Sequence, residues 1–426
     1  MDFAEVFWTD GRKAQLMDSA MTTLEQACNY FDSARTSEDC AQYLFHLPGQ
    51  ATTYLGLGCH KVIRYQRDGF HVRSNGKSVL LPPVAEPLAA MRDLLDPGYP
   101  GFWMISPDLC RPVNDPELPL IMCIQPDLEV RVQGYGSRRD ASTRSTLEPA
   151  QGWQTEPDAA FIERLKRGIA ILQDYPQGKM IITRHYQREI NARDPFRLFA
   201  QFADTEPNAA CSHFMQLDDE TCSFGCSPEN VFEVADGRLS VDVVAGTRGV
   251  AADPLVDAGW LAALQSDPKE RREHLMAFER YRARMETLIK PGSLKVEQQQ
   301  QVLQLGNVRH LYSRLSGDIK PELDWFGLLA DSFPALTSYP DALVSESDHT
   351  GEPLRFYGGI LGRVAADGRQ AAFFLNLRAA VVKRDVLFTQ GGVGVIAEST
   401  PEKELLEVKN KLSGLMKAIA KWEQDR

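Results

Sequence analysis

Two stretches of the 426-residue chain carry acids at the same spacing. "DPKERREHLM" places Glu270 three residues before Glu273, and "STPEKELLE" places Glu404 three residues before Glu407. On a helix, residues i and i+3 share a face, so each pair can aim two carboxylates one way. Four carboxylates meeting at one point repel unless a hard cation bridges them, and Mg²⁺ takes oxygen ligands while keeping some of its waters. The same spacing is also common on solvated helix faces, where it does no chemistry. The surroundings favour a site. His274 follows Glu273, and the second pair follows "GGVGVIAESTP", read as a glycine-rich turn into a helix start with Ser399 and Thr400 available as caps. Backbone N–H groups exposed by such a turn suit an anionic group.

These acids need long helices set on a frame. "GWLAALQSDPKERREHLMAFERYRARMETLI" reads as one long helical stretch, and "EKELLEVKNKLSGLMKAIAKW" as another. "AQLMDSAMTTLEQACNYF" and "AAFIERLKRGIAILQDY" also have helical spacing. Strand candidates are "TTYLGLG", "KVIRYQRDGFHVR", "LPLIMCIQ", "KMIITRHY", "AACSHFMQL", "CSFGCSP", "NVFEVADGRLSVDVV" and "AAFFLNLRAAVVKRDVLFTQGGVGV". Runs of strands interspersed with long helices predict an α+β fold of large antiparallel β-sheets clad by helices. The polar segment "YGSRRDASTRSTLEPAQGWQTEP" is a linker or exposed loop between a divergent N-terminal part, residues 1–150, and residues 151–426. The two parts are expected to form one compact domain.

Composition narrows the partners. The formal net charge is −11, against a nucleic-acid partner, which wants a basic face. No run of about 18 apolar residues appears and the N-terminus lacks a signal-peptide layout, so the reading is a cytoplasmic protein without a membrane span. Eight cysteines show no disulfide framework, and Cys222 and Cys226 lack a second pair at zinc spacing. A Rossmann or P-loop fold is not signalled: "GGVGV" has the wrong spacing for either glycine fingerprint. Paired acids also occur in isoprenoid synthases, but those want Asp-rich pairs on an all-helical chain.

From about Ala160 to Trp422 the sequence resembles the chorismate-utilising enzymes: the large subunits of anthranilate and aminodeoxychorismate synthase, isochorismate synthases and salicylate synthases. Ten matching pieces occur in family order: "KMIITR", "SPE", "AGTR", "KERREH", "VRHLYSRLSG", "FPALT", "FYGGILG", "NLR", "GVGVIAESTPEKELLE" and Lys411. The resemblance implies that Glu270, Glu273, Glu404 and Glu407 surround a Mg²⁺ that grips the substrate carboxylate, Glu273 and Glu407 closest and the other two through its waters. It implies that Arg378 and Tyr357 hold the pyruvyl carboxylate, helped by backbone N–H groups near Gly392 and Gly394. Thr247, Thr337 and His310 are implied to line the substrate site. Lys411 is implied to pair with Glu407 or with the substrate side of the metal.

One position divides the family. Aminating members resembling anthranilate synthase carry Gln where this chain has Lys179, and water-adding members carry Lys. Adding water at C2 of chorismate while expelling the C4 hydroxyl needs a base and an acid. The resemblance assigns Lys179 as the base, which requires its pKa to fall from about 10.4. It assigns Glu229 as the acid, which requires a raised pKa. "AFERYRARM" departs from the "D-x-x-R-N/D" of the aminating members, and no glutaminase domain is fused, so no glutamine amidotransferase subunit is expected. A monomer is the family expectation. "TTYLGLGCHKVIRYQRDG" resembles salicylate synthases, which carry isochorismate on to salicylate and pyruvate; that is the expected activity. The alternative is an isochorismate synthase that stops one step earlier, or another chorismate-converting activity. A silent relative that binds chorismate without turnover is a reading of another class, which no missing residue favours. "TSYPD", from Thr337, departs from the family's Gly-containing turn and Pro-Lys, and bears on the pocket near the ring.

Overall fold

Strands covered on both faces read as nearly unbroken apolar runs, because each side chain finds a dry partner whichever way it points. "QYLFHL" and "GFWMI" are of this kind, and every residue of both is buried. The computed structural model describes residues 4–8, 13–16, 23–34, 41–134, 152–190, 194–251, 253–305, 308–344 and 351–425.

Numbered along the chain, the strands of the first part are β1 (Ala4–Trp8), β2 (Lys13–Leu16), β3 (Gln42–Leu47), β4 (Thr52–Leu57), β5 (Lys61–Gln66), β6 (Gly69–Ser74), β7 (Lys77–Leu81), β8 (Gly101–Ile105), β9 (Ile121–Gln125) and β10 (Leu128–Gln133). The second part adds β11 (Gln154–Thr155), β12 (Met180–Glu189), β13 (Cys211–Gln216), β14 (Thr221–Ser227), β15 (Asn230–Ala235) and β16 (Arg238–Gly249). It continues with β17 (Lys295–Leu305), β18 (Val308–Asp318), β19 (Ile360–Val364), β20 (Gln370–Leu375), β21 (Ala379–Lys383) and β22 (Val386–Val395). The helices are α1 (Thr23–Ala34), α2 (Pro87–Leu94), α3 (Asp158–Leu172), α4 (Pro195–Thr205), α5 (Pro254–Ser266), α6 (Pro268–Leu288), α7 (Trp325–Ser332) and α8 (Pro401–Gln424).

Two antiparallel sheets of eleven strands each result. One runs β11-β12-β22-β21-β14-β13-β3-β4-β10-β1-β2, the other β17-β18-β16-β15-β20-β19-β8-β9-β5-β6-β7. Each draws strands from both sides of residue 150. The sheets face each other through Tyr43, Phe45, Phe102, Met104, Met215, Phe356 and Phe374. On the outer face of the first sheet, α1, α4 and α8 bury Phe31, Phe196, Phe199 and Trp422. On the outer face of the second, α2, α6 and α7 bury Met91, Phe278, Met285 and Leu329. The α+β reading of antiparallel sheets clad by helices is therefore the fold observed.

Between the sheets sits an ion pair, Glu129 of β10 with Arg363 of β19, with the Tyr43 hydroxyl donating to Glu129 at 2.6 Å. Arg363 also lies 3.7 Å over the Tyr54 ring. Burying both charges is tolerable only because each meets the other and further partners.

Three expectations need correction. The stretch from Ala14 does not form one helix: Lys13–Leu16 is a strand and the helix begins at Thr23. The long stretch from Gly259 is two helices, because Pro268 lacks the N–H that α5 needs to continue and Asp267 caps α6 through the Lys269 N–H. "GGVGV" is not a turn but the end of strand β22, and the turn lies beyond it. Thr400 sits at the N-cap position of α8 with no side-chain cap bond, whereas Ser399 Oγ accepts from Ile396 N at 3.2 Å. Residues 135–151 of the expected linker lie outside the described residues, while Gln154–Thr155 pairs with β12.

Candidate active site

Lys179 stands one residue before β12, where its backbone exchanges two 2.8 Å hydrogen bonds with Tyr339. The "TSYPD" departure is thus laid directly against this lysine. Across the sheet, a Cβ at Gly394 would fall 2.0 Å from Lys179 Cε. Glycine is needed there to leave a channel for the side chain, whose ammonium ends 3.1 Å from Glu273 Oε1.

Glu229 follows the end of β14, where its N–H donates to Ser227 Oγ at 3.4 Å and its carbonyl accepts from Leu375 N at 3.2 Å. Burial pushes its carboxyl up to about 8; the charges of Lys179 and Lys411 pull it down and Asp242 pushes it up. Glu229 is a carboxylic acid that keeps its proton near neutrality, beside a lysine.

The acid pairs lie in the first two turns of α6 and α8, where helix N-termini favour negative charge. The structure gathers three of the four around Lys269: its Nζ lies 3.2 Å from Glu270 Oε1, 3.6 Å from Glu273 Oε2 and 3.4 Å from Glu404 Oε1. Burial works against this ammonium, but Glu273, Glu404 and Glu270 outweigh burial and hold its pKa high. Burial and the neighbouring Glu407 charge push Glu404 up to about 7. Burial also raises Glu270, whereas in Glu273 the two lysines Lys179 and Lys269 outweigh burial and lower it. Glu407 pairs with Lys411 at 2.8 Å, and Lys411 Nζ also reaches Gly392 O at 3.1 Å.

Among the described residues, no group of three or more His, Cys, Asp or Glu surrounds one point closely enough to hold a metal ion. The donor set nonetheless fits Mg²⁺ in kind: hard carboxylate oxygens on two facing helix N-termini, crowded enough that an ammonium is drawn among them.

A hydrogen-bond chain leaves this cluster for the far side of the site. Gly246 adopts φ +81° at a bulge in β16 against β18, and a Cβ there would come 2.8 Å from the Glu270 carbonyl. The bulge presents Thr247 N to Glu270 Oε2 at 2.7 Å. Thr247 Oγ1 lies 3.0 Å from His310 Nδ1, and Arg378 Nη2 lies 3.3 Å from His310 Nε2. A guanidinium can only donate, so His310 Nε2 accepts and its proton sits on Nδ1. Burial, reinforced by Arg378 and Lys411, holds this ring neutral with a pKa well below the ordinary value. Arg378, at φ +48°, also donates from Nη1 to Glu206 Oε2 at 2.8 Å.

Tyr357 is buried with its hydroxyl against Gly392, where a Cβ would lie 2.8 Å away, and burial keeps the phenol protonated. Thr337 Oγ1 donates to the Ser338 carbonyl at 3.3 Å, two residues before the peptide that pairs with Lys179. His274 serves structure: its ring bonds Ala245 O at 3.1 Å and Ser313 Oγ at 2.8 Å, tying α6 to β16 and β18.

Lys179, Glu229, Thr247, Glu270, Glu273, His310, Arg378, Glu404, Glu407 and Lys411 are thus linked by contacts or by their fields. Two residues in this network escaped sequence reading. Lys269 had a signal, a cation inside "DPKERREH" with the acids Glu270 and Glu273 at i+1 and i+4 from it. Glu206, in "ADTEPN", had none, because its partner is 172 residues away.

Residues 128–417 match a protein family described as chorismate binding enzyme. The anthranilate synthase component 1 of Saccharolobus solfataricus is 29% identical over 245 residues, covering 57% of this chain and 57% of that protein. The anthranilate synthase component 1 of Streptomyces coelicolor is 30% identical over 294 residues, 68% of this chain and 57% of that one. The chain thus spans little more than half the length of these relatives. Among solved structures, a 2,3-dihydroxybenzoate-specific isochorismate synthase, DhbC, from Bacillus anthracis aligns with TM-score 0.71 at 20% identity, over 92% of this chain and 99% of that one. MenF, the menaquinone-specific isochorismate synthase of Escherichia coli, aligns with TM-score 0.69 at 17% identity, over 98% and 94%. At these identities the likeness is one of fold.

Proposed function

The chain belongs to the chorismate binding enzyme family, and on that premise we propose that it adds water to chorismate and carries the product on to salicylate and pyruvate. The observation that supports this reading is a buried Glu229 that retains its proton to about pH 8 within the electrostatic reach of Lys179. A base and a protonated acid held at one site are what displacement of a hydroxyl by water requires.

In the proposed reaction Lys179, as the free amine, takes a proton from water as the oxygen bonds to C2. Both ring double bonds shift together, C1=C2 to C1=C6 and C5=C6 to C4=C5, the C4–O bond breaks, and Glu229 gives its proton to the departing hydroxyl, which leaves as water. The sum is an isomerisation to isochorismate, after which solvent returns the protons. Arg378 and Tyr357 are read as holding the pyruvyl carboxylate, and the Thr247 hydroxyl donates toward the substrate. Mg²⁺, held by Glu270, Glu273, Glu404 and Glu407, would supply the positive charge that binds the ring carboxylate. In the second step hydrogen passes from C2 to the enolpyruvyl methylene as the C3–O bond breaks, releasing pyruvate. That step asks for positioning rather than an acid or base.

A second reading stops at isochorismate. It is favoured by the "TSYPD" segment, which differs from the family turn and lies against Lys179. Aminating chemistry, suggested by the names of the sequence relatives, is disfavoured by Lys179 itself. Incubation with chorismate and Mg²⁺, with and without ammonia, separates the readings by product chromatography. Salicylate with equimolar pyruvate in the absence of ammonia supports the proposal. Isochorismate alone selects the second reading, and an ammonia-dependent product rejects both.

A further inference from the structure

Arg378 does not reach its place unaided. It stands one residue before β21 of one sheet, while His310 lies on β18 of the other, and the guanidinium spans the gap. Its orientation depends on a third element. Glu206, just past the end of α4 and 3% exposed, accepts from Arg378 Nη1 at 2.8 Å. Space for that carboxylate comes from α8, where a Cβ at Gly414 would fall 2.7 Å from Glu206 Oε1. A carboxylate this deeply buried carries a heavy desolvation cost, which the arginine offsets in part; burial still holds its pKa above the ordinary value.

The contact has a consequence at Thr247. With one Nη1 proton on Glu206, the guanidinium is turned so that Nη2 points at His310 Nε2. That fixes the Nδ1–H tautomer, and Nδ1–H donates to Thr247 Oγ1. A hydroxyl that accepts there has its own proton left to give elsewhere. Arg378 keeps Nε–H and one proton on each terminal nitrogen for an anion.

We propose that Glu206 is the positioning residue of the substrate-carboxylate anchor: it holds Arg378 against His310, and through the His310 tautomer it orients the Thr247 hydroxyl toward substrate. The proposal rests on the chorismate reading for the identity of the anion, and its geometry is independent of whether salicylate or isochorismate is released.

Glu206→Ala removes the hold on Arg378. KM for chorismate is expected to rise at least about tenfold, equivalent to about 1.4 kcal/mol, with kcat reduced less than about threefold. Glu206→Gln keeps an acceptor oxygen at the same reach and is expected to recover most of that loss. A purely structural residue would lower thermal stability without this split, so equal KM values in both variants, or parallel loss of kcat and folded protein, overturn the proposal. Because Glu206→Ala leaves a buried guanidinium unpaired and can fail to fold, a second measurement is made on Glu206→Gln and the parent protein. In ¹⁵N NMR of the histidine rings, assigned by subtraction of a His310→Gln spectrum, the parent is expected to show His310 protonated on Nδ1. Glu206→Gln is expected to retain that signature, and Glu206→Ala, where folded, to mix tautomers. A His310 protonated on Nε2 in the parent overturns the proposal even if chorismate is turned over. Conversely, absence of turnover in the parent rejects the chorismate reading and leaves the NMR result to judge Glu206.

Discussion

Lys179 Nζ lies 3.1 Å from Glu273 Oε1, so the residue read as the base and a residue read as a metal ligand are ion partners. A cation bound at Glu273 would compete with Lys179 for the same carboxylate, which couples cation binding to the freedom of the proposed base. Lys179→Gln is expected to lower kcat about 10²- to 10⁴-fold, the range for loss of a general base, while chorismate still binds by calorimetry. Turnover at the parental rate would remove Lys179 from that role.

Glu229 gives a prediction in which activity and stability move in opposite directions. Its folded pKa of about 8 lies above the ordinary 4.5. The native state therefore favours the protonated form. Its contribution to stability is complete below pH 4.5 and is lost as pH rises through 8. Glu229→Gln, neutral at every pH, should match the parent near pH 4.5 and exceed it at pH 9 by about 2–5 kcal/mol. The same variant should lose most turnover, and the parent's rate should fall as pH passes above about 8. Thermal melts at the two pH values and a pH–rate profile check both parts. Equal melts at pH 9 would mean that Glu229 is not buried as described.

Chelation should remove turnover without unfolding the protein, because the Lys269 ammonium already partners three of the four carboxylates. Lys269→Met takes that charge away. Its melting temperature in EDTA should fall below the parent's, and Mg²⁺ should raise it by more than it raises the parent's. A melting temperature indifferent to both Mg²⁺ and Lys269 would separate the Glu pairs from metal binding.

The Glu129–Arg363 pair is a stability element far from the acid pairs in role. Removing one buried partner strands the other charge between the sheets, so Glu129→Ala should cost about 3–5 kcal/mol in urea unfolding. Any folded fraction should retain the parental KM. A loss under about 1 kcal/mol would show that water reaches the inter-sheet layer.

Local spacing determined much of this protein. The helical faces carrying Glu270/Glu273 and Glu404/Glu407, the alternating and apolar strands, and the class of fold all follow from periodicities of a few residues. The resemblance that named Lys179, Glu229 and Arg378 likewise rests on short linear motifs. What tertiary structure decided is who meets whom. Nothing near Lys179 in sequence announces Tyr339 or Glu273, and nothing near Glu206 announces Arg378. "GGVGV" reads locally as a turn because glycines are intrinsically flexible. Pairing with β12 makes it a strand, and there Gly394 is required for the room it leaves Lys179. The same holds for charge. A sequence gives Glu229 an ordinary carboxyl, and only burial beside Asp242, against the pull of Lys179 and Lys411, turns it into an acid that holds its proton at neutral pH. Burial and long-range proximity are properties of the assembled sheets, because desolvation depends on every atom that excludes water and not on neighbours along the chain.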